Sequence, residues 1–180
     1  MRTTVDFGID LGTTNSEVAF MDGNNIVVIK NIFGSECTSS AVYIDKSGRT
    51  YVGQQAKERY FYDENEARIE FKREMGTGNS HTFPSTGKVM TPVELSAEVL
   101  KSLKSDVERR LNGEKIHSAV ITVPADFNQP QNDATQKAAL LAGLEDCVLL
   151  QEPIAAATAH GFRSLKDKVF WMVYDSGGVS

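Results

Sequence analysis

The chain has 180 residues, of which 41% are apolar and 24% are charged. This composition is typical of a soluble globular protein and excludes a disordered, collagen-like or disulfide-framework chain. Nineteen Lys and Arg against 24 Asp and Glu give a formal net charge of −5, which argues against a protein that binds nucleic-acid backbones or membrane surfaces. No stretch has the pattern of a signal peptide or the length of an apolar membrane span.

The two cysteines indicate a reducing compartment. Cys37 and Cys147 are far apart, no Cys-x-x-Cys pair occurs, and the sequence holds no Asn-x-Ser/Thr glycosylation site. Secreted domains usually carry closely spaced, paired cysteines. We therefore expect a cytoplasmic protein.

Short β-forming runs separated by turn residues occupy the first 60 residues, and a short helix follows them. The first three runs predict an antiparallel meander, and the next two predict a further strand pair. The predicted elements are strands Thr4–Ile9, Ser16–Met21, Ile26–Lys30, Ala41–Ile44 and Thr50–Val52 and helix Gln54–Tyr62. The mixed charges of residues 57–74 are typical of a solvated face, with Lys72 kept apart as a candidate functional residue.

The clearest helix signal is the capping box Thr91-Pro92-Val93-Glu94, with a proline at the first helical position. The helix is predicted to end at Asn112-Gly113. Apolar residues recur at every fourth position after the cap and predict a stripe that faces the core. They are Leu95, Val99, Leu103 and Val107.

The last third of the chain predicts a β-α-β-α-β order. Its strands lack polar alternation, which is typical of parallel strands buried on both faces. The predicted elements are Ala119–Val123, Gln131–Ala142, Val148–Gln151, Pro153–His160 and Val169–Tyr174. The sequence thus predicts an α/β fold whose mixed sheet combines an antiparallel N-terminal meander with parallel strands.

Candidate functional residues follow the predicted strands, where open α/β sheets bind their ligands. Asp10 is followed by Gly12, Thr13, Thr14 and Asn15 in a tight turn, whose backbone N–H groups and hydroxyls can surround phosphate oxygens. The later strands end at Glu152 and at Asp175-Ser176-Gly177-Gly178. One or two carboxylates suffice to hold Mg²⁺ beside phosphates, and Asp10 and Asp175 are the candidates. Taken singly, each segment is better explained as an ordinary turn, since turn chemistry alone accounts for such residues.

Several other classes of site lack their motifs. The chain contains neither a G-x-x-x-x-G-K-[ST] nor a G-x-G-x-x-G sequence, which disfavours P-loop and Rossmann proteins. The three histidines are scattered with no zinc-ligand spacing, and a serine hydrolase elbow is missing.

Taken together, six motifs in this order resemble those of the seventy-kilodalton heat-shock chaperone family, over nearly the whole chain. They are Gly8-Ile9-Asp10-Leu11-Gly12-Thr13-Thr14-Asn15-Ser16, Phe71-Lys72-Arg73, Ser96-Ala97-Glu98-Val99-Leu100, Ala119-Val120-Ile121-Thr122-Val123-Pro124-Ala125, Ala142-Gly143-Leu144 and Glu152-Pro153-Ile154-Ala155-Ala156-Ala157. The Asp-x-Gly-Thr turn alone would also fit sugar kinases and bacterial actin-like proteins, but the Lys72 and Glu152 contexts disfavour a small-molecule kinase.

The resemblance implies that residues 1–180 form the first lobe of a two-lobed, actin-like, ribonuclease H-like ATPase domain that binds ATP or ADP with Mg²⁺. A reduced outer subdomain is expected at about residues 40–90. Through the parent protein, the resemblance also implies binding of unfolded peptides and co-chaperones.

The resemblance further implies roles for individual residues. Thr13, Thr14 and Asn15, with Gly12, would line the first phosphate loop, and Gly177-Gly178 would begin the second. Asp10 and Asp175 would hold the magnesium shell. Lys72 would contact the γ-phosphate and the attacking water, and Glu152 would help to position that water.

The sequence also departs from the family pattern. Ser176 and Val179 alter the second phosphate loop, and Asp126 and Asn132 stand where the family typically has tyrosine and arginine. Pro124 is kept, so Pro124 and Asn132 are the candidates for coupling nucleotide state to peptide binding. Asn132 and the altered Asp175–Ser180 stretch favour an alternative hypothesis, a pseudo-ATPase or scaffold with the same fold and no regulated turnover. Lys72, Glu152 and Asp10, kept together, favour the ATPase.

The chain ends within a glycine turn after an apolar run. We expect it to be part of a longer protein whose second lobe and peptide-binding domain lie beyond residue 180. On its own it should bind ATP weakly and hydrolyse it poorly.

Overall fold

A computed structural model describes residues 7–160 and Val173 of the chain. Eleven strands, four α-helices and one 3₁₀ turn form this part of the protein. The strands are β1 (Phe7–Asp10), β2 (Asn15–Asp22), β3 (Asn25–Val28), β4 (Thr38–Ser39), β5 (Ala41–Ile44), β6 (Thr50–Val52), β7 (Ala67–Ile69), β8 (His81–Phe83), β9 (Lys88–Met90), β10 (Ser118–Val123) and β11 (Asp146–Gln151). The helices are α1 (Gln54–Tyr60), α2 (Pro92–Arg110), α3 (Gln129–Leu141) and α4 (Glu152–Ala159), and the 3₁₀ turn is Phe71–Glu74.

The principal sheet is mixed, as the sequence predicts. Its strand order within the described residues is β11-β10-β1-β2-β3, with β4 paired to β2. β1, β2 and β3 form an antiparallel meander, whereas β1 pairs with β10 and β10 with β11 in parallel. The last predicted strand, Val169–Tyr174, lies outside the described residues apart from Val173.

The predicted helices are present with shifted ends. α2 begins at the predicted capping box, in which the Thr91 side chain accepts a hydrogen bond from Glu94 N and the Glu94 side chain accepts one from Thr91 N. α3 begins two residues before the predicted start because Asn128 and Gln131 form a second capping box there. Both caps satisfy backbone N–H groups that lack an intrahelical partner.

Residues 40–90 build an outer region beside the principal sheet. It contains the antiparallel sheet β6-β5-β7, helix α1 and the hairpin β8–β9. The prediction that residues 57–74 form a solvated face is wrong at Glu66, Ala67 and Phe71. Pairing of β7 with β5 buries Glu66 and Ala67, and the following 3₁₀ turn buries Phe71 and Lys72.

The core lies between the principal sheet, α2, α3 and the outer region. All four residues of the predicted α2 stripe are buried, and they join one continuous apolar cluster with β1 and β10. Burying an aliphatic side chain of this size contributes about 1.5–3 kcal/mol, so α2 fixes the outer region on the sheet. Within residues 7–160, no helix combines the length and apolarity needed to cross a bilayer.

Candidate functional site

A cleft of about 770 Å³ opens at the carboxyl edge of the principal sheet. It lies where β1, β10 and β11 end, the position at which open α/β sheets bind ligands. Thirteen described residues line it: Asp10, Gly12, Thr13, Thr14, Asn15, Lys72, Thr122, Pro124, Glu152, Pro153, Ala155, Ala156 and Val173. The structure therefore brings together every predicted site residue that it describes except Asn132.

The buried Ser40 donates hydrogen bonds to the turn after β1. Ser40 Oγ donates to Gly12 O at 2.7 Å, Ser40 N donates to Thr14 O at 2.8 Å, and Ser16 Oγ lies 2.9 Å from Ser40 Oγ. A Cβ atom added to Gly12 would lie 2.1 Å from the carbonyl oxygen of Asn15, far inside van der Waals contact. This position of the turn therefore requires glycine, and hydrogen bonds to Ser40 hold the turn in place.

Asp10, the last residue of β1, is oriented by the neighbouring parallel strand. Thr122 Oγ1 donates to Asp10 Oδ1 at 2.7 Å, because Asp10 and Thr122 are register partners of β1 and β10. The hydrogen bond fixes one carboxylate oxygen at the mouth of the cleft. Sequence reasoning did not assign Thr122 to the site; the signal was the one hydroxyl residue in the otherwise apolar predicted strand Ala119–Val123.

Lys72 enters the cleft from the outer region. The 3₁₀ turn that carries it follows Glu70, whose φ of 56° lies in the left-handed region and redirects the chain after β7. Lys72 is 5% exposed, and its Nζ donates to Glu152 Oε1 at 3.1 Å. Glu152 is the first residue of α4, so a buried cation and a half-buried carboxylate meet at the side of the cleft.

The two candidate coupling residues lie in different surroundings. Pro124 lines the cleft directly after β10. Asn132 lies in the first turns of α3, where its Nδ2 donates to Phe127 O at 3.4 Å. Its buried Oδ1 finds no hydrogen-bond partner among the described residues. Asn132 thus contacts the turn that follows Pro124 rather than the cleft itself.

The remaining predicted site residues, Asp175, Gly177 and Gly178, lie outside the described residues. Over residues 7–160 and Val173, no three His, Cys, Asp or Glu side chains cluster as a ready-made metal centre. Asp10 and Glu152 are the carboxylates that this part of the cleft offers.

The mixed sheet, the glycine-dependent turn after its first strand and the cleft at its carboxyl edge are the features expected of an α/β protein of the actin-like ATPase class. The family comparison agrees with this assignment: residues 6–180 match the Hsp70 protein family. The chain therefore belongs to the Hsp70 family. Family membership confirms the resemblance found in the sequence and gives the chain the general function of an ATP-binding chaperone ATPase domain.

Proposed function

We propose that residues 1–180 form the first lobe of the ATPase domain and that the cleft holds the phosphates of Mg-ATP for hydrolysis. The observation that carries the proposal is the Lys72–Glu152 pair, a buried cation and a carboxylate 3.1 Å apart that line the same cleft as the Thr13–Asn15 turn. In the intact protein, hydrolysis would be coupled to the binding of unfolded peptides and regulated by co-chaperones.

The residues present fit a phosphate group. The lack of a side chain at Gly12 lets the turn close tightly on Asn15 O, and the backbone N–H groups and hydroxyls of such a turn bind phosphate oxygens well. Thr13, Thr14 and Asn15 supply such groups in this turn.

The residues also fit magnesium. Mg²⁺ keeps several waters and takes one or two carboxylates in addition to phosphate oxygens. Asp10 offers one carboxylate whose orientation Thr122 fixes, and Asp175 is the proposed second. When bound, the metal neutralises charge on the phosphate oxygens.

Lys72 and Glu152 have complementary parts in this proposal. Phosphoryl transfer to water needs an in-line water and compensation of charge on the transferred group more than it needs covalent chemistry. The Lys72 ammonium group is a compact cation with three donors, suited to the γ-phosphate and the attacking water. Glu152 accepts a hydrogen bond from this ammonium group and holds Lys72 at the cleft. The Glu152 carboxylate can also orient the attacking water.

The remaining assignments concern the parts of the mechanism beyond this cleft. Gly177 and Gly178 are proposed to begin the second phosphate loop. Pro124 and Asn132 are proposed to couple the nucleotide state to peptide binding. The contact of Asn132 with Phe127 O, in the turn after Pro124, supports this second assignment.

A second candidate function is a scaffold that keeps the fold without regulated turnover. The observation that favours it is Asn132, which replaces the arginine typical of the family and has an unpartnered, buried Oδ1 among the described residues. An asparagine cannot supply the long-range charge of an arginine at this position.

Two measurements test the proposal and separate it from the scaffold. Thermal unfolding of this chain and of the full-length protein is compared with and without millimolar Mg-ATP, and turnover is measured on the full-length protein. Nucleotide at 100 times its dissociation constant adds about 2.7 kcal/mol of stability, so we expect a clear shift for the full-length protein and a small one for this chain. Stabilisation without turnover in the full-length protein would support the scaffold, and no stabilisation of either form would contradict the nucleotide cleft.

A further inference from the structure

The Lys72 ammonium group has a second neighbour besides Glu152. Lys72 Nζ lies 5.5 Å from the centroid of the Phe127 ring. This is within the distance at which an ammonium group is attracted by the electron-rich face of an aromatic ring. Because Lys72 is 5% exposed, water competes little for the cation, and the attraction is stronger than at an exposed site.

The ring and the carboxylate contact the same ammonium group from different parts of the fold. Glu152 begins α4, whereas Phe127 precedes the N-cap of α3. A lysine side chain has four flexible carbon atoms and ordinarily loses much rotational freedom when it is fixed. The ring and the carboxylate together restrict that freedom, while Lys72 still lines the cleft. Phe127 itself is not among the described residues that line it.

The position of the ring depends on the turn after β10. Phe127 N donates to Pro124 O at 3.2 Å, and Phe127 O accepts a hydrogen bond from Asn132 Nδ2 at 3.4 Å. The backbone of Phe127 is therefore tied to this turn at both its N–H and its carbonyl group, while its ring reaches Lys72 in the cleft.

We propose that Phe127 is a positioning residue, whose ring face holds the Lys72 ammonium group in place for phosphoryl transfer. The ring touches neither phosphate nor water and acts only through Lys72. This inference rests on the proposed function, because it presumes that Lys72 serves the hydrolysis of ATP. In this proposal, the contact between the Phe127 ring and the Lys72 ammonium group links the turn of Pro124 and Phe127 to the cleft.

The test changes the charge distribution of the ring while keeping its shape. Phe127 is replaced by mono-, di- and pentafluorinated phenylalanine in the full-length protein, and also by Tyr and by Leu. Fluorination withdraws electron density from the ring face, so we expect kcat to fall stepwise through the series, to roughly a tenth for the pentafluorinated ring and for Phe127→Leu. Phe127→Tyr, which keeps an electron-rich face, is expected to stay within about twofold of the wild type. KM should change little, since the ring does not contact the nucleotide.

A matched control and a readout without nucleotide accompany the series. Tyr43 carries Arg59 over its ring at 5.7 Å in the outer region, so Tyr43→Leu removes a cation–ring contact elsewhere and should leave kcat unchanged. In this chain without nucleotide, the NMR signal of the Lys72 ammonium group should broaden or shift in Phe127→Leu and persist in Phe127→Tyr.

The outcomes separate this inference from the proposed function. Turnover that is lost in Lys72→Ala but kept at the wild-type level in the pentafluorinated variant overturns the role of Phe127 alone. Unchanged turnover in Lys72→Ala overturns the proposed role of Lys72, and the positioning role with it. Equal losses in the Tyr and Leu variants at unchanged thermal stability would also overturn the electrostatic role of the ring, because Tyr preserves it.

Discussion

Lys72 Nζ and Glu152 Oε1 lie 3.1 Å apart although the two residues are separated by 80 positions in the chain. Lys72 belongs to the outer region and Glu152 to the end of the principal sheet, so the pair joins two separately built parts of the fold. The exposed fraction of the side chain is 6% for Lys72 and 28% for Glu152. Charges removed from water contribute little net stability even when paired, so we propose that this contact serves the cleft rather than folding.

Lys72→Ala tests that explanation in the full-length protein. Removing one preorganised donor from a site of charge development lowers a rate by roughly 10²–10³, and we expect ATP turnover to fall by that factor. Glu152 remains partly solvated, so the fold should persist, as thermal unfolding can verify. Lys101→Ala is the matched control, because it breaks a partly exposed 2.8 Å pair with Glu98, and neither residue lines the cleft. Wild-type turnover in Lys72→Ala would remove Lys72 from the mechanism.

Gly12→Ala tests the turn after β1. The new methyl group would lie 2.1 Å from Asn15 O, so the backbone of the turn must move, and over-packing of this kind costs about 1–3 kcal/mol. We expect the affinity for Mg-ATP to fall by about tenfold or more, measured by calorimetric titration of the full-length protein. Gly8→Ala in β1 is the control, since a Cβ there meets no atom within 4 Å. Equal affinities of the two variants would show that the turn does not form the phosphate site.

Sequence reasoning predicted the parts of the fold that local patterns determine. The α2 stripe and its capping box depend on residues at most four positions apart, and the strands of the meander are set off by turn residues. The rule that ligands bind at the carboxyl ends of strands then predicted that Asp10, Thr13 and Glu152 lie at one edge of the sheet.

The features that sequence reasoning missed depend on contacts between distant residues. β7, β8 and β9 have three residues each, too few for a periodic signal, and they form through pairing. Glu66 is buried although its stretch of sequence is charged. Its carboxylate accepts a hydrogen bond from Ser85 N, which the pairing of β8 with β9 brings close to it. The contact of Phe127 with Lys72 likewise joins segments that no local pattern relates.

Thr91→Ala tests the cap of α2, the helix that fixes the outer region on the sheet. Glu94 N donates to Thr91 Oγ1 at 3.3 Å, and loss of such a cap costs about 1 kcal/mol. We expect the free energy of unfolding in urea to fall by about that amount. Thr91→Ser keeps the accepting oxygen and should retain most of the stability. Equal stability of the Ala and Ser variants would show that the side-chain cap does not contribute.

The same cap predicts a dependence on pH. Hydrogen bonds from Thr91 N and then from Thr91 Oγ1 lower the pKa of Glu94 below its ordinary value of 4.5. A carboxyl whose pKa is lowered by folding contributes stability above its unfolded pKa and loses it as the pH falls through the folded pKa. Glu94→Gln should therefore lose stability relative to the wild type at pH 7, and the difference should shrink below about pH 4.5. A difference that is constant over this range would contradict the role of the ionised carboxylate.

Asp106, on the same helix, should show the opposite dependence of stability on pH. It is 5% exposed, and desolvation raises its pKa above the ordinary 3.8, although Arg109 at 3.0 Å partly offsets this effect. The native state then binds a proton more readily than the unfolded state, so the contribution of Asp106 to stability falls as the pH rises through the interval above 3.8. We expect the wild type to gain stability relative to Asp106→Asn as the pH is lowered from 7 towards 4, measured by urea unfolding at each pH. Asp133→Asn, at an exposed position of α3, controls for general effects of removing a charge. If the stability of the wild type relative to Asp106→Asn instead falls as the pH is lowered, the ion pair with Arg109 outweighs the desolvation of Asp106.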